Sequence, residues 1–129
     1  MSELEGFVAF DFDVGVASAS ITPNGITFNR SVAIKLNYPE YVVLLINADA
    51  KQIAVKACTP DTPKAATFYK KQEKDEAVRS VRWNNRDLLN NLSEIMGWDL
   101  KQMSHRVEGR LLQQENAMLF DLTKASDMK

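Results

Sequence analysis

Cysteine and histidine are almost missing from this chain of 129 residues, which has one of each. A single thiol, Cys58, excludes an intramolecular disulfide and a cysteine-rich zinc site. No apolar run approaches the roughly 20 residues that cross a bilayer. The opening MSELEGFVAF has no base ahead of its short apolar stretch, so it does not read as a signal peptide. These absences together lead us to expect a cytosolic protein with no membrane attachment. Glycine and proline are sparse, at 5 and 4 residues, too few for a collagen-like or low-complexity chain. Charge of one sign is lacking too: 16 Lys and Arg against 17 Asp and Glu leave −1, a total that selects no class of partner.

What is present is the material of one ordinary domain. Hydrophobic residues make up 45% and charged residues 26%, close to average soluble usage. A chain of this length buries about two-thirds of its unfolded surface, enough for a core without metals or bridges.

Apolar and polar residues alternate over 7–16, where Val8, Phe10, Phe12, Val14 and Val16 share one face and Asp11 and Asp13 the other. That period of two predicts a half-buried strand. A strand over Ala17–Thr22, the turn Pro23-Asn24-Gly25 and a strand over Ile26–Asn29 read as a hairpin, with Asn-Gly supplying its positive φ angles. Val32, Ala33 and Leu36 mark a two-turn helix from Arg30, capped by Asn29 or Ser31 and closed by Pro39. Tyr41–Ile46 and Gln52–Cys58 read as a second hairpin. Thr59–Asp75, with Pro60, Pro63 and several lysines, reads as a linker or surface excursion. A strand follows over Ala77–Asn84, then a helix from about Asn85 to Met96 that Gly97 stops, then two strands within His105–Leu122.

Strand, short helix and hairpin thus occur twice, at 26–58 and 81–122, and Ile26-Thr27-Phe28-Asn29 aligns with Val81-Arg82-Trp83-Asn84. Half a barrel exposes an apolar face and open edges, and a second half covers both. The pattern reads as an internal duplication: one domain over 1–129, with repeats at about 17–58 and 77–122 and a linker over 59–76.

The first repeat has a familiar form. Gly25-Ile26-Thr27-Phe28, a short helix ending at Leu36, Tyr41-Val42-Val43-Leu44-Leu45-Ile46, a polar turn over 47–51 and Gln52-Ile53-Ala54-Val55-Lys56 resemble the AbrB/SpoVT/MazE swapped-hairpin domain. The resemblance covers 35–40 residues well and the second repeat loosely. It implies an α+β fold: a β-rich, pseudo-twofold barrel from two β-α-β-β repeats of swapped-hairpin type. It also implies a non-enzymatic DNA-binding regulator. The chain departs from the family pattern in having Asn29-Arg30 where a proline is usual, and in lacking arginines over Ala17–Thr22. The family builds its barrel from two chains, whereas here two repeats of one chain would close it.

Few residues invite catalysis. Asp11 and Asp13 share a strand face, as carboxylates that hold Mg²⁺ do, but no phosphate loop or further acid accompanies them. They read as solvated positions on an amphipathic strand. His105 has no Ser or Cys in a triad-like setting, and Cys58 reads as a small residue at a strand end. Trp83 and Phe28, and with them Trp98 and Tyr41, are of a type that stacks on bases. Trp83 and Phe28 fall on the apolar sides of their strands and read as core. No motif joins a nucleophile, base and orienter, so neither an enzyme nor a cofactor is expected.

The bases are more informative. Lys64, Lys70, Lys71, Lys74, Arg79, Arg82 and Arg86 face only Glu73, Asp75 and Glu76 within 64–86, a local charge of +4. Arg82 and Arg86 flank Trp83 at a strand-to-helix junction, and Arg30 holds nearly the same place in the first repeat. Arginines beside a helix start suit phosphate. Arg30, Lys70, Lys71, Arg79, Arg82 and Arg86 are therefore the candidate contacts to double-stranded DNA. The alternatives are a solvated face paired with the acidic residues Glu3, Glu5, Asp11 and Asp13, and a module that binds a protein partner or itself.

Overall fold

The structure is a computed structural model that describes residues 3–4, 15–70 and 80–128. The strand expected over 7–16 lies outside the described residues, except for Gly15 and Val16, which precede the first strand. The elements are β1 (Ser18–Thr22), β2 (Gly25–Phe28), α1 (Arg30–Lys35), β3 (Tyr41–Asn47), β4 (Gln52–Cys58), β5 (Ala66–Thr67), β6 (Val81–Trp83), α2 (Arg86–Met96), β7 (Ser104–Leu112), β8 (Ala117–Asp121) and β9 (Ser126–Met128). They form a strand-rich, curled antiparallel sheet with two helices, an α+β architecture of barrel-like class.

Along the sheet the order is β5-β3-β4-β8-β7-β1-β2-β6, with β9 added to β7. The hairpin β3–β4 lies beside the hairpin β7–β8 through β4 and β8, with Ile53 opposite Phe120 and Val55 opposite Met118. β2 lies antiparallel to β6 with Thr27 opposite Arg82. The two ends of the order approach each other, because the Trp83 indole N–H donates to the Thr67 carbonyl at 3.1 Å. Burial follows the strand alternation. Val42, Ile53, Val55, Val107, Met118 and Phe120 point inward and are buried, while Lys56, Arg106, Glu108 and Arg110 point out.

An aromatic group closes the core. Phe28 packs 5.6 Å from Phe68, 5.1 Å from Trp83 and 5.6 Å from Phe120, measured between ring centroids. These tilted and edge-on arrangements are the favoured ones for aromatic pairs. Val32, Ala33 and Leu36 from the α1 region join this core, as do Leu89 and Leu92 of α2. Phe28 is thus a core residue, as its strand position predicts, and Trp83 is half-buried against that core.

The structure corrects several local expectations. The β1–β2 turn centres on Pro23 and Asn24, since Thr22 pairs with Gly25 and neither turn residue has a positive φ. The Thr22 hydroxyl accepts from the Asn24 N–H at 3.1 Å. Gly25 (φ +151°) serves another end: a Cβ there would lie 2.6 Å from the Trp83 carbonyl oxygen, so only glycine lets β6 approach. Asn29 occupies the N-cap position of α1 without capping it. Its amide instead reaches back to β1, donating to the Val16 carbonyl at 2.8 Å and accepting from the Ser18 N–H at 3.1 Å. The stretch 59–76 is more than a linker where it is described. It contributes β5, which pairs with Tyr41 and Val42, and the buried Phe68. Flanking prolines and lysines hide a strand of two residues from any pattern of periodicity.

β7 is the strand that turns the sheet. Its first part pairs with β1 and β9, and Gly109 to Leu112 pair with β8. Gly109 sits at the change of partner, where a Cβ would come within 2.8 Å of both Met118 and Phe120 side chains. A strand glycine at such a bend lets the inward aromatic cross it.

Candidate nucleic-acid interface

The sequence at the β6–α2 junction dictates its local form. Asn85 is extended (φ −131°, ψ 112°), and its side chain accepts from the Leu88 N–H at 3.0 Å, a regular N-cap. Leu88, Leu89 and Leu92 turn toward the core, so Arg86, the first helical residue, is left exposed. Gly97 ends the helix in the left-handed region (φ 69°), where glycine carries no Cβ penalty.

Arg82 projects from the outer face of β6, and its guanidinium donates to the Asn24 carbonyl at 3.0 Å. That bond uses one of the guanidinium's five N–H donors and ties the side chain to the β1–β2 turn. Arg86 lies at the same end, since it lines a cleft together with Pro23. Arg30 is exposed at the start of α1, and because β2 and β6 run antiparallel it lies at the opposite end of that strand pair. Lys70 is exposed beside Tyr69, whose N–H donates to the Pro39 carbonyl at 3.0 Å. Lys71 and Arg79 lie outside the described residues. The structure therefore brings Arg82 and Arg86 together and places Arg30 and Lys70 elsewhere.

Sequence reasoning did not pick out Lys101. A cleft of about 570 Å³ opens between the β1–β2 turn, one face of α2 and the turn that follows it. Arg86, Asn90 and Ser93 line it from the helix, and Trp98, Leu100 and Lys101 from beyond Gly97. The helix spacing of 86, 90 and 93 was readable, but the return of 98–101 onto that face depends on the left-handed turn at Gly97. The Asp99 carboxylate accepts from the Lys101 N–H at 3.1 Å and so belongs to that turn.

Behind the cleft, Trp98 stacks on His105 at 4.0 Å with 13° between the rings. His105 is only 7% exposed, and its Nδ1 lies 3.2 Å from a carboxylate oxygen of Asp127 on β9. This is the one contact between a basic side chain and a carboxylate among the described residues, so Arg30, Arg82, Arg86 and Lys101 have no carboxylate partner there. Those residues also contain no group of three or more His, Cys, Asp or Glu able to hold a metal. Cys58 is a half-buried free thiol at the end of β4.

Two further surfaces stand apart from this end. On the outer face of β7 and β8, Asp121 accepts from the Thr123 hydroxyl at 2.6 Å and from its N–H at 3.1 Å. The hydroxyl bond is the chief reason its carboxyl is held below the ordinary range, with the Thr123 N–H and the charge of Lys124 also contributing. On β3, pairing with β5 stops at Val42, and beyond it the outer edge has no strand partner among the described residues. Leu45 and Ile46 near that edge are 48% and 39% exposed.

Fold and site together define a strand-rich α+β architecture of barrel-like class with Arg82, Arg86 and Lys101 at one end. No helix among them is long and apolar enough to cross a membrane. The chain matches no protein-family model, no curated protein and no solved structure.

Proposed function

We propose that this protein is a non-enzymatic, cytosolic DNA-binding regulator, built as a swapped-hairpin barrel of the AbrB/SpoVT type from two repeats of one chain. The strand order supports the duplication, because β5-β3-β4 mirrors β1-β7-β8 about the β4–β8 contact. Thr27 opposite Arg82 fits the same relation: these residues are also equivalent by sequence, which puts the pseudo-twofold axis between them. On this reading β5 is the second repeat's counterpart of β1.

The observation that carries the function is the pair of arginines that lead the two helices. Arg30 begins α1 and Arg86 begins α2, and they lie at opposite ends of the β2–β6 pair with no carboxylate partner among the described residues. Two separated cations at nearly corresponding places in the two repeats suit two phosphate positions along a duplex backbone. Arg82, held toward the turn by its bond to the Asn24 carbonyl, adds a third contact near Arg86, and the exposed Lys70 a fourth. Backbone contacts of this kind make affinity fall steeply with salt. An electrophoretic titration of the full chain with a mixed-sequence duplex at two salt concentrations is expected to show retention that weakens at the higher one. Lack of retention at low salt contradicts the reading.

The second reading, a protein-interaction or assembly module, is favoured by one observation: the β3 edge beyond Val42, without a strand partner among the described residues, with Leu45 and Ile46 exposed. An apolar edge without a charge or proline is a template for strand addition. Co-purification of one stoichiometric protein without nucleic acid would favour it over the first.

A further inference from the structure

The geometry points to a binding site for a single nucleotide unit, a planar base carrying a phosphate, in the cleft between α2 and the turn after it. The cleft has two kinds of wall. Leu89, Leu100 and Trp98 supply an apolar surface, while Arg86 and Lys101 supply charge. Its volume of about 570 Å³ falls within the range of roughly 300–1,000 Å³ usual for small-molecule sites.

Trp98 is held in place before any ligand arrives. One face of its indole lies on His105, and His105 is held by Asp127, which leaves the opposite face as the one on which a base would stack. A fixed aromatic plane loses little freedom when a base stacks on it. The charge is available as well. Asp99, the one carboxylate lining the cleft, accepts from the Lys101 N–H and stabilises its own turn, and neither Arg86 nor Lys101 has an ion-pair partner among the described residues. Inorganic phosphate would engage the cations and leave the indole uncovered. An uncharged base would do the reverse. A nucleotide satisfies both, and the carboxamides of Asn84 and Asn90 offer donors and acceptors to a base edge.

A free mononucleotide and the end of a single strand share this chemistry. The site shares Arg86 with the proposed duplex contact, but it needs neither Arg30 nor a second contact across the β2–β6 pair.

The test is isothermal calorimetry of the full chain with AMP, adenosine, inorganic phosphate and a short oligodeoxyadenylate. AMP is expected to bind saturably and about tenfold more tightly than adenosine or phosphate. Trp98→Leu and Lys101→Ala are each expected to weaken AMP by about tenfold, with far-ultraviolet circular dichroism unchanged, whereas Arg30→Ala leaves AMP binding as it was. An oligonucleotide tighter than AMP assigns the site to a strand end, and equal affinity assigns it to free nucleotide. The exposed Lys101 gives the folding-neutral variant should Trp98→Leu lose structure. Absence of saturable AMP binding at millimolar concentration overturns the inference, as does an affinity that Lys101→Ala leaves unchanged.

Discussion

The halves β2-α1-β3-β4 and β6-α2-β7-β8 follow one order of elements and differ in how each is finished. In the first, the helix has 6 residues and its leading Asn29 serves the neighbouring strand. In the second, the helix has 11 residues, a true cap at Asn85 and a glycine stop. Among the described residues β3 has no strand partner on its outer edge beyond Val42, whereas β7 is flanked by β1 and by the added β9. The lesson is that one architecture tolerates two local solutions once the inward residues agree. Ile53 and Val55 meet Phe120 and Met118 across the β4–β8 seam whatever the helices do. The longer helix and its returning turn then build a cleft against the β1–β2 turn.

That comparison can be broken at its seam, where the largest effect is expected. Phe28 touches Phe68, Trp83 and Phe120 and is fully buried, so it belongs to both halves. Phe28→Ala should cost about 3–5 kcal/mol and lower the stability of the whole domain in a single urea transition. Two separate transitions would mean that the halves fold independently.

The two asparagines sharpen the contrast at intermediate size. Asn85→Ala removes a cap and should cost about 1 kcal/mol, with faster amide exchange at Leu88. Asn29→Ala removes no cap. It should instead expose the Ser18 amide to exchange at a cost of about 1–2 kcal/mol for two lost bonds, leaving the first turn of α1 as it was. Matching exchange patterns in the two variants would erase the distinction between the helix starts.

The smallest expected effect is electrostatic and confined to the second half. Asp121 has a folded pKa below its ordinary value because Thr123 hydrogen-bonds the ionised form. A depressed carboxyl pKa gives stability that is present above the unfolded value of about 3.9. That stability is lost as pH falls through the folded value. Thr123→Ala should move the Asp121 titration, followed by carboxyl carbon NMR, upward toward the ordinary range. An unmoved titration would remove Thr123 as the cause.

Much of this fold was legible from residue patterns, and the failures have physical reasons. The strands β1 to β4 and both helices follow from alternation, apolar spacing and stop signals, because each buries one face against the core. β5 escaped because two residues carry no period, and its place is set by pairing with β3 and by the Trp83 bond to Thr67. Gly25 looked like a turn residue and proved to be a point of close approach, which depends on a strand 58 positions downstream along the chain. Asn29 has the right type and place for a cap, but the start of β1 lies near enough to take its side chain. At the site, the sequence brought out Arg82 and Arg86 through local charge. It did not bring out Lys101, whose place beside Arg86 comes from a tertiary return after Gly97.

The central claim is that both halves face one duplex through their helix-leading arginines. Its most direct test is the salt dependence of duplex affinity in the wild type, Arg30→Ala, Arg86→Ala and the double variant. Each single change is expected to weaken binding and to reduce the slope of log K against log salt by about 1, and the double change by about 2. A slope that Arg86→Ala lowers and Arg30→Ala leaves untouched would contradict the claim.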